Sequence, residues 1–281
     1  MRGVPTNRRR PQPSCEVTAM SALLMDEIRA FQVPAGKVAL WWLGQMGFIF
    51  KSPAGTTLGV DLYLTDTPSS SQRPLDLNRC FPSPIEPEDL DVDVFACTHN
   101  HRDHTDPGTI ARLSRKDSML FAGPAPSCET FRRLGVPSHR IRMLWAGAEL
   151  EHADLRLRAT FALPTDPGDL NHLGYAIRFA DGPLIYLTGD TAWHELVAEA
   201  APQQPDVLIT CINGGFANLC HWEAAGLAAR IRPKVAIPCH YDMFPDNAAD
   251  PRQFRAALVI RAPGVRYQQL ERGRVWVYPE E

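Results

Sequence analysis

In the run Thr98-His99-Asn100-His101-Arg102-Asp103-His104-Thr105-Asp106, three imidazoles and a carboxylate occupy the span from His99 to His104. Histidine is scarce in this chain, nine in 281 residues, so such a cluster departs sharply from a scattered surface distribution. A loop with this spacing can bend so that His99 and His101 reach one cation while Asp103 and His104, displaced by a turn, reach a second. Imidazole mixed with carboxylate suits zinc or manganese, with iron also compatible. Two divalent ions per chain are therefore expected. Four ligands from one loop cannot close two sites, so further donors must arrive from distant strand ends. The plain alternative is three histidines that happen to share an exposed loop.

Three later segments are able to supply those donors. The apolar run Leu184 to Leu187 ends in Thr188-Gly189-Asp190, where the glycine permits a tight turn and aims a carboxylate just past the strand. Asp190 is read as the ligand shared by both ions. Val235 to Pro238 ends in Cys239-His240-Tyr241-Asp242, which makes His240 the candidate for the second ion. Leu155 to Leu163 runs out into a loop where Asp166, Asp169 and His172 compete to complete the first ion's set. Asp166 ranks ahead of His172, and the loser is left a hydrogen bond to a ligand or a contact to substrate.

Asp103, bound to an ion yet next to the shared water, is the candidate to orient that water or take its proton. His194, Asn213, His221, Tyr241 and Asp242, with Trp193 and Trp222, lie just beyond strand ends and are candidate substrate contacts, as is His172. Plain helix packing is the alternative for His221. Arg102 is a candidate anion contact, its alternative being simple exposure on a loop.

These residues need a scaffold that brings strand ends together, and the rest of the chain reads as one. Short β-rich runs at Val38 to Leu43, Phe48 to Lys51 and Thr56 to Leu62, broken by glycines and Pro53, suggest an antiparallel meander. A helix is expected from Met20 to Phe31, and strands at Val92 to Cys97, Met119 to Ala122, Ile141 to Leu144, Tyr175 to Phe179 and Val207 to Thr210. Helical stretches follow Asp106 to about Arg115 and cover Pro126 to Leu134, Trp193 to Ala200, His221 to Ile231 and Pro251 to Ile260. The Pro- and Ser-rich stretch Thr65 to Glu88 is a long loop and a candidate cover for a pocket. Mixed strand and helix without a flexible linker favours one α/β domain, residues 19–281, preceded by a disordered or extended Arg- and Pro-rich segment, residues 1–18.

Composition narrows the function classes. A hydrophobic content of 44% supports a substantial core, and a formal charge of -3 gives no basic field for nucleic acid. The seven cysteines are scattered and odd in number, without a C-x-x-C pair, which fits a reducing cytoplasm and indicates neither a disulfide framework nor a thiolate zinc knuckle. No apolar run approaches the roughly 20 residues of a membrane span. The expected partner is a small-molecule substrate, with neither nucleic acid nor membrane, and a homo-oligomer is compatible.

Together, the H-x-H-x-D-H run, Thr188-Gly189-Asp190 after a strand and the late Pro238-Cys239-His240 resemble the metallo-β-lactamase superfamily. More narrowly the chain is similar to the L-ascorbate-6-phosphate lactonase family, in Trp41-Trp42-Leu43-Gly44 with Lys51-Ser52, in Thr98 to Asp106, and in Ile237 to Asp242 with Ala249-Asp250-Pro251. The resemblance implies a four-layer αββα sandwich of two similar halves, metals at the edge where the sheets meet, and hydrolysis by a metal-bridging hydroxide. It also implies a carboxylate at the place given to Asp166. The chain lacks an insertion before Tyr175 and an extended C-terminal tail, regions able to shape a pocket, so the phosphate ester substrate does not transfer with the fold. A lactonase acting on a small polar, phosphorylated or unphosphorylated metabolite is the leading expectation. A phosphodiesterase is the alternative, and a di-iron redox protein the third reading.

Overall fold

The computed structural model describes residues 15–66, 78–165 and 170–280, with side chains from residue 23 onward. Helix α1 (Cys15–Ala30) begins five residues before its expected start and so reaches into the segment read as extended; the expectation for residues 1–14 lies outside the described residues. Strands β1 (Val38–Gly44), β2 (Gly47–Lys51) and β3 (Thr57–Val60) form the expected antiparallel meander. β4 (Val94–Ala96), α2 (Pro107–Arg112), β5 (Leu120–Gly123), α3 (Ala125–Arg133) and β6 (Ile141–Met143) continue the sheet with parallel pairings.

The second half repeats the scheme. β7 (Glu149–His152), β8 (Leu155–Phe161), β9 (Leu173–Phe179) and β10 (Ile185–Leu187) run antiparallel to one another. Then α4 (Glu195–Ala200), β11 (Val207–Cys211), α5 (His221–Ile231), β12 (Val235–Cys239), α6 (Pro251–Arg261) and β13 (Arg266–Tyr267) extend the sheet in parallel. Finally β14 (Val275–Tyr278) returns to the first sheet and pairs with β1. β7, β13 and β14 were not foreseen. All three are at or next to a sheet edge, and β7 buries only one of its four residues, so its hydrophobic alternation is faint.

Period-two alternation decides the layering. From β1, Ala39, Trp41 and Leu43 join Met25, Ile28 and Phe131 in a core under α1 and α3. The intervening Val38, Leu40 and Trp42 join Tyr175, Ile177 and Ile209 of the second sheet. Leu227, Ile231 and Phe254 bring α5 and α6 onto that sheet's other face. The result is the expected order helix, sheet, sheet, helix. Among the described residues no helix is long and apolar enough to cross a membrane.

Two local devices set the elements beside the site. Asp106 caps α2, its carboxylate accepting from the Gly108 and Thr109 amides, and Pro107 supplies the first turn. At the C-terminus of α1 the Lys51 ammonium donates to the carbonyl oxygens of Ile28 and Arg29, at 2.8 and 2.7 Å. A last-turn carbonyl lacks an intrahelical donor, and a cation there also meets the negative end of the helix dipole. Lys51→Met is therefore expected to lower stability by about 2 kcal/mol in a denaturant titration. Hydrogen exchange should locate the loss in α1; unchanged protection of α1 would show that Lys51 does not hold it.

Candidate metal centre

Past the end of β4 the chain turns at once, and two buried hydroxyl-bearing residues hold the turn. Tyr175 donates its phenol hydroxyl to the carbonyl oxygen of Cys97 at 2.5 Å, tying the strand end to the second sheet. Thr98 donates its amide and its hydroxyl to the two carboxylate oxygens of Asp61, at 2.7 and 2.6 Å. Asp61 is fully buried just after β3, and one of the same oxygens lies 2.7 Å from Nδ1 of His104. The carboxylate accepts the Nδ1 proton, so Nε2 of His104 carries the free lone pair when the ring is neutral. Inside the loop, the His104 and Thr105 amides both donate to the carbonyl oxygen of His101, and the Thr105 hydroxyl donates to that of His99. The spacing of the histidines is thus bent into a compact turn.

The second half meets it through a close approach. Gly189 has φ 63°, and a Cβ there would lie 2.3 Å from the carbonyl oxygen of Leu173 and 3.1 Å from the side chain of Thr98. Only glycine allows the β10 end to come so near the histidine loop. Asp190 follows, and Asn218 donates to its Oδ2 at 2.8 Å. His172 has its Nδ1 3.2 Å from the Asp190 carbonyl oxygen, an arrangement in which Nδ1–H donates. His240 leaves β12 in the left-handed region with φ 58°.

Seven side chains therefore converge in three overlapping groups: His99, His101 and His172; His99, His104 and Asp190; Asp103, His104 and His240. Within each group the potential ligand atoms lie within 4.8 Å of one another. Nε2 of His240 is 3.2 Å from Asp190 Oδ1 and 3.4 Å from Asp103 Oδ2, and Nε2 of His104 is 3.5 Å from Asp190 Oδ2. Nε2 of His99 and of His104 and Oδ1 of Asp190 are buried and without a hydrogen-bond partner. Such atoms are costly unless something satisfies them. Imidazole and carboxylate groups oriented on one another suit divalent cations, and these residues fit a metal centre.

Electrostatics agree with that fit. Burial, reinforced by His104 and His172, keeps His99 well below the ordinary histidine value, in the neutral form that binds a metal. Burial opposes charge on His104 as well, but Asp190, Asp103 and Asp61 outweigh it and push His104 well above that value. The same balance carries His240 up to about 9, with Asp190 the leading partner. Despite burial, His104 and His240 hold both Asp103 and Asp190 below the usual carboxylate range. Protons on two histidines thus offset the carboxylates where cations would otherwise do so.

Of the residues expected from sequence, His99, His101, Asp103, His104, Asp190 and His240 come together here. Asp166 lies outside the described residues. His172, ranked behind it and also placed among the substrate contacts, joins His99 and His101 with ring centroids 4.0 and 5.4 Å away. Tyr241 is corrected: it is 1% exposed, packed against Trp42 at 5.0 Å in the core, and has no face for a substrate. His194 is exposed and caps α4, its Nδ1 accepting the Leu196 amide. Asn213 donates to Gly215 and Asn247, Asp242 pairs with Arg272 at 3.0 Å, and His221 is the partly exposed first residue of α5. Asp61 and Asn218 were not foreseen. A lone carboxylate after β3 and an amide in the loop after β11 carry no local pattern that singles them out.

Comparison with known proteins follows the same lines. The chain is 27% identical over 247 residues to a "UPF0173 metal-dependent hydrolase" of Herpetosiphon aurantiacus, covering 85% of this chain and 97% of that one. It is 25% identical over 286 residues to a "probable L-ascorbate-6-phosphate lactonase UlaG" of Salmonella heidelberg, covering 87% and 80%. Among solved structures, Igni18, a metallo hydrolase from the archaeon Ignicoccus hospitalis, superposes with a TM-score of 0.66 at 21% identity, covering 87% of this chain and 100% of the other. The fold is that of the metallo-β-lactamases. Residues 39–240 match the family model described as the beta-lactamase superfamily domain, and the chain belongs to that family.

Proposed function

We propose that the protein is a hydrolase that holds two divalent cations, zinc or manganese with iron also compatible, and opens a lactone ring in a small polar metabolite, phosphorylated or unphosphorylated. The observation that carries this reading is the meeting of seven histidine and aspartate side chains, five of them buried, from both halves of the chain, with Nε2 of His99 and of His104 and Oδ1 of Asp190 left without a hydrogen-bond partner. His99, His101 and His172 would hold the first ion, Asp103, His104 and His240 the second, with Asp190 shared between them. The ions supply a water acidified to near neutrality and a Lewis acid for the oxygen under attack.

The chain's own residues do the rest. Asp61 fixes the tautomer and direction of His104, and Asn218 does the same for the Asp190 carboxylate. His101 and Asp103 are only partly buried whereas the other five are buried, so substrate approaches across these two. Asp103, on that open side, is in position to accept the proton of the attacking water and return it to the leaving alkoxide. A lactone needs no separate exit path for its leaving group, which stays tethered to the product. The lactonase relative supports the substrate class, yet its alignment runs over 286 positions while covering only 87% of the 281 residues here, so the relative carries segments absent from this chain. The particular lactone is therefore this chain's own.

Three outcomes test the reading. Protein purified without chelator should contain two metal ions per chain and open members of a lactone panel; turnover of phosphodiesters alone would replace the lactonase reading by a phosphodiesterase. Asp103→Ala and Asp190→Ala should each lose at least about a hundredfold in kcat, and Asn218→Ala about tenfold. Normal turnover in either aspartate variant would refute the assignment.

Metal uptake should also depend on pH, because His104 and His240 must give up protons to become ligands. Affinity is expected to weaken as the pH falls, and proton release on zinc addition to diminish as the pH rises through about 9, where His240 is already neutral. Zinc uptake without proton release at neutral pH would contradict this.

A further inference from the structure

Between β1 and β2 the chain passes through Gln45 and Met46, and Gln45 is fully buried at the second metal group. Its backbone lies in the left-handed region at φ 51°, a strained conformation for a residue with a Cβ. Its carbonyl oxygen accepts from the His240 amide at 2.9 Å and from Trp42 Nε1 at 3.0 Å. Its side-chain Nε2 donates to Asp103 Oδ2 at 3.0 Å and lies 3.2 Å from Nε2 of His240. One residue thus touches two of the three members of a group whose ligands come from opposite halves of the chain.

The chemistry of the amide suits that position. A neutral N–H donor orients a carboxylate without cancelling its charge, and it leaves the oxygen a second lone pair for a cation. A carboxylate in its place would itself compete as a ligand, and an ammonium would repel the ion. The turn by itself needs only glycine, which adopts positive φ freely. A strained, buried glutamine does what glycine cannot, since it places an amide against Asp103 while its carbonyl anchors the His240 backbone.

We propose that Gln45 is a positioning residue for the second cation, setting Asp103 by its side chain and His240 by its backbone so that ligands from the two halves meet on one ion. This rests on the two-ion reading above. The test uses Gln45→Met, which keeps the bulk and removes the donor, and Gln45→Gly, which keeps the turn and relieves its strain.

Metal-free full-length protein is titrated with zinc against a chromophoric chelator and, separately, with cobalt followed by absorption. In both variants the first equivalent should bind with wild-type affinity and spectrum. The second should weaken ten- to a hundredfold, on the order expected for loss of a hydrogen bond to a ligand, and its cobalt bands should change. Two equivalents bound with wild-type affinity and spectrum in both variants would overturn the proposal. So would an equal weakening of both sites accompanied by a lower melting temperature of the metal-free variants, which would make Gln45 a builder of the turn only. Wild-type protein that takes up no second ion would instead overturn the two-ion reading itself.

Discussion

Three carboxylates, Asp61, Asp103 and Asp190, are gathered with five imidazoles where the two sheets meet, and the need to balance that charge away from water governs everything around it. Burying an ionised carboxylate is expensive unless opposite charge or good donors face it. Asp61 receives three donors and is satisfied by protein alone. Asp103 and Asp190 are not: each receives one amide and otherwise faces histidine nitrogens at 3.2 to 3.6 Å, too long for strong hydrogen bonds. One carboxylate is thus satisfied as structure, and two are left available to a cation.

Such a cluster needs a rigid frame, because ligand atoms a fraction of an ångström out of place no longer converge. The frame is the packed interior of the two sheets, in which Trp42, Phe48, Tyr175 and Tyr241 are all fully enclosed. Tyr175 shows the coupling most directly: its ring belongs to the core between the sheets while its hydroxyl holds the carbonyl from which the histidine loop departs. Tyr241 plays the apolar part next to His240, its ring tilted against that of Trp42, whose indole N–H in turn holds the Gln45 carbonyl. Core and site are contiguous, so a packing defect at these aromatics is felt by the ligands.

Much of the fold was legible in the chain itself. The β-rich runs of β1 to β3, broken by Gly44, Gly47 and Pro53, are a local property of the chain. The facing of Trp41 to the helices and Trp42 to the second sheet shows only once the strand is packed, because the run is apolar throughout. Three strands at or beside the sheet edges were missed because short or half-exposed segments carry little periodicity. The same distinction holds at the site. His99 to His104 are contiguous and stand out; Asp190 follows an apolar strand and a glycine turn, and His240 comes directly at the end of another apolar strand. The loop after β8 offers several donors within a few positions, and nothing local separates them. The fold brings His172 to His99 and His101 because β9 begins directly after it and pairs along β8 and β10.

The amino-acid sequence by itself determined the donor inventory, the strands that end in it and the glycine that lets one strand end come close, since each is a matter of residue type and short-range spacing. Tertiary structure alone decided which groups face one another across long separations: Asp61 with His104, Asn218 with Asp190, Gln45 with both Asp103 and His240. Those pairings span 28 to 195 positions. The physical reason is that hydrogen bonding and charge compensation act over a few ångströms of space, whereas a sequence pattern records only neighbours along the chain.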